Sequence, residues 1–137
     1  MEESKEISDD EWLIRRIPPH HSPVPYQDPA LGEVRERPPS AAFALGIGEF
    51  GLSFHLESSL RAAGEQLTYG CPEGVPGWSV ARIQARRLRA LGLALIRDEV
   101  PHHVQAFGLA ELGNSRRKKV QQEIAKASEY VVPPRAS

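Results

Sequence analysis

Apolar and polar positions first alternate at Trp12-Leu13-Ile14-Arg15-Arg16-Ile17, which reads as a strand. Trp12, Ile14 and Arg16 share one face of it, and Leu13, Arg15 and Ile17 the other. Pro18-Pro19 ends the strand, because proline has no N–H for a ladder bond and restricts the residue before it. From Pro18 to Ser40 there is no periodicity, and seven prolines favour an extended, polyproline-like loop. Ser40 to Leu45 reads as a short strand and Leu52 to Leu56 as another, with Gly46-Ile47-Gly48-Glu49-Phe50-Gly51 as the turn between them. A short helix through Leu60, Ala63 and Leu67 follows, with Ser58 or Ser59 as its N-cap.

The second half is more strongly patterned. Ser79 to Ile83 reads either as a strand or as an early start to the helix of Gln84–Leu91, and Gly92 suits the left-handed residue that ends such a helix. Leu93 to Ile96 is short and wholly apolar, as a buried strand would be. His103 to Phe107 is a further strand, with Gly108 at its end. Val120, Ile124, Ala127 and Val131 form the stripe of an amphipathic helix, capped by Asn114 or Ser115 and closed by Pro133-Pro134. The expected fold is α+β: a small mixed sheet of about five short strands, covered by two or three helices and ending in that amphipathic helix.

Residues 1–11 hold six acids and little apolar surface, so a disordered acidic leader is expected there. One domain over 12–134 follows, including the proline-rich loop 18–40, with 135–137 as a tail. Cys71 is the single cysteine, which excludes an intrachain disulfide and a cysteine-rich zinc site. No run approaches the ~18 apolar residues of a membrane span, and the acidic start lacks the features of a signal peptide, so a cytoplasmic setting and no membrane partner are expected.

A net charge of −1 gives no global signature of polyanion binding. It conceals a balance of −6 over residues 1–60 and +5 over 61–137. The basic half holds two candidate anion sites. Arg82, Arg86 and Arg89, spaced by four and three, would form one cationic stripe on a helix. Asn114, Ser115, Arg116, Arg117, Lys118 and Lys119 would place a capping side chain, free amides and four cations at a helix start, where phosphate contacts alone could hold a nucleic acid.

Other motifs read more plainly. Gly46 to Gly51 matches G-x-G-x-x-G, but a strand-like segment follows where a dinucleotide site requires a helix, so it reads as a turn and no cofactor is expected. His20-His21 and His102-His103 are adjacent pairs, whose side chains diverge on a strand, and no metal site is expected. Cys71, with His55 or His103 as a base, has the residue types of a thiol catalyst but reads as a packing residue.

Leu13-Ile14-Arg15-Arg16-Ile17-Pro18, Arg37-Pro38-Pro39-Ser40-Ala41-Ala42-Phe43, Leu52-Ser53 and the late His103 and Gly108 resemble a group of small uncharacterised bacterial proteins. The likeness runs from Trp12 to Pro134. It implies a bacterial origin and one domain, carries no activity, and draws attention to Arg15, Arg16, Arg37 and Ser40 as a polar cluster. Three functions follow as expectations. The first is a non-catalytic protein-interaction or accessory module of a bacterial complex, working through Pro18–Ser40 or a basic helix face. The second is phosphate or nucleic-acid binding through the basic helices. The third is a small enzyme acting on a nucleotide-like anion, which requires Arg15, Arg16, Arg37, Ser40 and a histidine in one pocket.

Overall fold

β1 (Trp12–Ile17) lies inside the sheet and has two unlike faces. In the computed structural model, which describes residues 3, 4 and 6–134, it pairs along its whole length with β5 (Ser79–Gln84), from Trp12 opposite Gln84 to Ile17 opposite Ser79. On its other side only Leu13 and Ile14 register with β4 (Gly51–Leu56), opposite Leu56 and His55. β7 (His103–Phe107) and then β6 (Ala94–Arg97) extend the sheet beyond β4, while β8 (Glu129–Val132) extends it beyond β5. The order is β6-β7-β4-β1-β5-β8, with every neighbouring pair antiparallel. The α+β class is as expected, but the sheet has six strands where about five were expected, and it is antiparallel throughout.

Alternation along the strands sends side chains into two layers. Leu13 and Ile17 join Leu52, Phe54, Ile83, Leu95 and Val104 in the main core. That core is closed by Leu88 of α2 (Ala85–Ala90), Ile124 of α3 (Asn114–Ala127) and Phe43 of a 3-10 turn, Ser40–Phe43. On the opposite face Ile14 and Val80 pack with Leu60 of α1 (Glu57–Ala62) in a smaller cluster, to which Leu67, Tyr69 and Cys71 of the following loop add. Helices therefore lie on both faces. Gly92 ends α2 in the left-handed conformation at φ 85°; its N–H donates to Arg89 and that of Leu93 to Leu88, the paired bonds of a Schellman cap.

Several local expectations give way to tertiary context. Ser40–Phe43 is a 3-10 turn and not a strand, because burying Ala42 and Phe43 together needs a tight turn. The terminal helix ends at Ala127, so Val131 of the sequence stripe lies on β8, the strand that fills the edge beside β5. Leu56 and Gly113 occupy the N-cap positions of α1 and α3 with no side-chain cap bond, in place of the expected serine or asparagine. Inside the proline-rich segment β2 (Val24–Asp28) and β3 (Glu33–Arg37) form a two-stranded ribbon of their own. Its turn is fixed by Asp28, which accepts from the N–H of Ala30 through its side chain and of Gly32 through its carbonyl. None of the described helices is long and apolar enough to cross a membrane.

Residues 6–11, expected to be disordered, form a strap across α2. Ile7 is buried in the main core. The carbonyls of Asp9 and Glu11 accept the N–H groups of Arg86 and Ala85, which the first turn of α2 would otherwise leave unpaired. Ser4 bonds along the outer edge of β6, its N–H to Leu95 and its hydroxyl from the N–H of Arg97. One apolar anchor and backbone acceptors for orphan donors outweigh the ordering entropy that composition alone weighed against this segment. The expected tail, 135–137, lies outside the described residues. We predict that Ile7→Ala lowers stability by roughly 2–5 kcal/mol in urea denaturation; an unchanged midpoint would place the strap off the core.

Candidate functional site

The residues singled out in sequence form four sets: the polar cluster, the cationic stripe, the start of α3 and the glycine-rich turn. Arg15 and Arg16, neighbours on β1, point to opposite layers. Arg15 enters the main core, where its Nε donates to the carbonyl of Ala42 at 2.8 Å and its Nη1 to that of Ser53 at 2.9 Å. Phe43 and Phe54 approach the guanidinium at 5.8 Å each. Burial lowers the Arg15 pKa to about 10, Glu49 pulling it up and Arg16 pushing it down. Arg16 instead donates to the carbonyl of Gly70 at 2.6 Å, clipping the 63–78 loop to the second face. Arg37 and Ser40 line a small hollow of about 150 Å³ against Gln122 and Lys126 of α3. The four residues therefore do not converge.

The cationic stripe is neutralised from within. Arg82 lies on β5 and not on the helix; it stacks over Trp12 at 3.9 Å and pairs with Glu129 at 2.6 Å and more loosely with Glu57. Arg86 pairs with Asp10 at 2.5 Å. Arg89 is held by Glu3, by Asp9 at 2.7 Å and by the carbonyl of Ile7 at 2.6 Å. The acidic strap and the basic helix are thus each other's counter-charges, which is where the sequence asymmetry goes.

At the start of α3, Arg117 is also committed. Its guanidinium takes the carbonyls of Leu109, Ala110 and Leu112 at 3.0–3.1 Å, closing the 3-10 turn before the helix. Asn114, Ser115, Arg116, Lys118 and Lys119 are exposed. In the glycine-rich turn Glu49 folds back to accept the N–H of Gly46, and β4 follows where a phosphate-holding helix would be needed.

A fifth arrangement was not read from the sequence: a cluster of histidines on the second face. His55 and His103 sit directly opposite each other on β4 and β7, rings 5.9 Å apart. Tyr69 meets His55 edge-on at 5.5 Å and His102 at 5.2 Å. Asp98 holds the Nδ1 of His103 at 2.5 Å and accepts from Gln105 at 3.1 Å. Burial works to raise the Asp98 carboxyl, yet the bonds from Gln105, His103 and the Val100 N–H together hold it below the ordinary range. Since an ionised carboxylate only accepts, the Nδ1 of His103 is the donor in this bond.

His102 is the one non-glycine residue with positive φ among the described residues, at 64°. It follows Pro101 in a turn closed by His103 N–H to the Val100 carbonyl, a place where glycine or asparagine is the usual choice. Its Nδ1 and the Ser59 hydroxyl are 2.6 Å apart. The strain is offset by this bond and by its carbonyl, which takes the N–H of Leu56 at 2.7 Å. Alternation places His55 and His103 on the polar faces of their strands; the strand register that brings them together is the tertiary fact that sequence does not contain.

His55 is only 7% exposed, so this is a packed network more than an open catalytic surface. Burial, with Arg16, His103 and His102 around it, depresses its pKa from 6.5 to about 4. Cys71 stays a thiol, burial raising its pKa against the opposing pull of Arg16. A cleft of about 960 Å³, walled mostly by the loop between Gly64 and Trp78 and by Val132, carries Glu65 and Glu73 and no arginine or lysine, which disfavours an anionic ligand. No group of three or more histidine, cysteine or carboxylate side chains among the described residues is placed to hold a metal ion. No family model, curated protein or solved structure matches the chain.

Two outcomes follow. His55 is neutral in the folded chain, whereas the unfolded chain binds its proton below 6.5; stability therefore falls as pH drops from 6.5 and the loss is complete below about 4. The full effect is roughly 3 kcal/mol, and His55→Phe should flatten that part of a denaturation series in pH. Arg15→Met leaves the Ala42 and Ser53 carbonyls without their donor and should cost roughly 1–3 kcal/mol for each. An Arg15→Met protein as stable as the parent would mean that water takes the place of the guanidinium.

Proposed function

We propose that this chain is a non-catalytic protein-interaction module whose contact surface is the β2–β3 ribbon of the proline-rich segment. The observation that carries the reading is the exposure of this ribbon. It belongs to neither layer of the main sheet, and its apolar residues face solvent, Val34 at 73% exposure and Leu31 at 56%. A two-stranded ribbon is only marginally stable alone, so one that presents apolar side chains and open edges suits recognition better than support.

The distribution of charge favours this reading over its alternatives. Arg82, Arg86 and Arg89 already have carboxylate partners within the chain, so a polyanion would have to displace them. The residues required for an anion-processing enzyme lie on different faces of the molecule. A reduced form of the nucleic-acid reading rests on exposed Arg116, Lys118 and Lys119 in the first turns of α3.

The test is affinity capture of the tagged chain from its native lysate, with and without nuclease, beside a Leu31→Glu/Val34→Glu variant. A protein partner that survives nuclease and falls about tenfold or more with the variant, at unchanged circular dichroism and melting temperature, is the expected result. Recovery of the same partner at parental levels by the variant overturns the ribbon as the contact. Loss of all partners on nuclease treatment, with binding abolished by Arg116→Ala/Lys118→Ala/Lys119→Ala, moves the function to α3.

A further inference from the structure

Resting on the reading of the ribbon as an interface, we infer that it recognises a second copy of this chain, through antiparallel pairing of β3 with its own symmetry mate. The backbone selects the edge. In the register of the ribbon Pro25 lies opposite Glu36 and Gln27 opposite Val34. Pro25 has no N–H to offer Glu36, so these are the non-hydrogen-bonded pairs, and the backbone groups of Val34 and Glu36 point outward from β3. The outer edge of β2 is interrupted at Pro25, where it lacks a donor. The outer edge of β3 has no proline, and Glu33, Val34, Arg35 and Glu36 are all exposed.

The side chains select the register. A two-fold axis at Val34 brings Val34 against its own copy, which covers the most exposed apolar residue of the ribbon. The same axis sets each Glu33 opposite Arg35 of the other chain, twice, at the closely spaced positions of the ladder. Shifting the axis to Arg35 would oppose two arginines and leave Val34 beside glutamate. Outward-facing backbone and side-chain complementarity therefore agree on one alignment. Arg35 reaches Asp28 only at 3.5 Å and is half exposed, so it is free to face a second carboxylate. The product is a four-stranded sheet joining two copies, an isologous contact that closes on itself.

Sedimentation or light scattering over a dilution series from millimolar to micromolar tests the pairing directly. Wild-type chain should dimerise, and Glu33→Arg or Arg35→Glu alone should weaken the dimer about tenfold, because each opposes like charges twice. Mixing these two variants in equal amounts should restore dimer as the mixed species, since both facing pairs are then opposite in sign. In a Cys71→Ser background, Val34→Cys should oxidise to a disulfide-linked dimer much faster than Leu31→Cys, as the facing Cα atoms of a hydrogen-bonded pair are ~5.5 Å apart. A wild-type chain that stays monomeric across the series overturns the self-pairing, as do equal oxidation rates at positions 31 and 34. Neither result touches the broader ribbon reading, which stands or falls on capture of a different protein by the parent and not by Leu31→Glu/Val34→Glu.

Discussion

The structure depends on a single residue pair in β1 whose members must go opposite ways. Arg15 and Arg16 are adjacent, so a strand sends one into the main core and the other to the second face. Burying Arg15 is tolerable because two carbonyls lie where its guanidinium arrives. That of Ser53 lies beyond the two-residue β1–β4 ladder, and that of Ala42 is presented by the 3-10 turn. One side chain thus joins the central strand, the neighbouring strand and the turn that α3 packs upon. Arg16 does the corresponding work on the other face, where it fixes the carbonyl of Gly70; a Cβ at that glycine would collide with the guanidinium.

Charge in this molecule is spent mostly within the chain. The acidic strap meets the basic helix α2, Arg82 meets Glu129, and Arg117 closes the turn before α3. Such surface and half-buried pairs contribute modestly one by one, yet they hold the strap in place so that Ile7 can reach the core. The first turns of α3 keep exposed cations, and the ribbon keeps exposed apolar side chains.

The histidine network is arranged differently, around a buried His55. His55 and His103 face each other across two strands without a carboxylate between them, so His55 is comfortable only uncharged. Asp98 holds His103 from outside the pair, and Ser59 holds His102 in a turn conformation that a β-carbon resists. The result is a rigid polar seam joining α1, the β6–β7 turn and the 63–78 loop over the second face.

Local pattern alone determined β1, β4, β6, β7, the short helices α1 and α2 with the cap at Gly92, and the amphipathic start of α3, because each rests on side-chain patterning or on one residue's backbone preference. It also separated Arg15 from Arg16, although nothing local said that their two environments would be a core and a loop clip. Tertiary structure alone decided the rest. The strap is ordered because α2 and β6 offer it unpaired donors, and the proline-rich stretch 18–40 holds a ribbon because Asp28 closes its turn. The sequence stripe of α3 breaks at Ala127 because the sheet edge beside β5 takes Glu129–Val132 as a strand. Which charges are spent and which histidines meet are properties of strand register, and register is set by the whole sheet closing on its core.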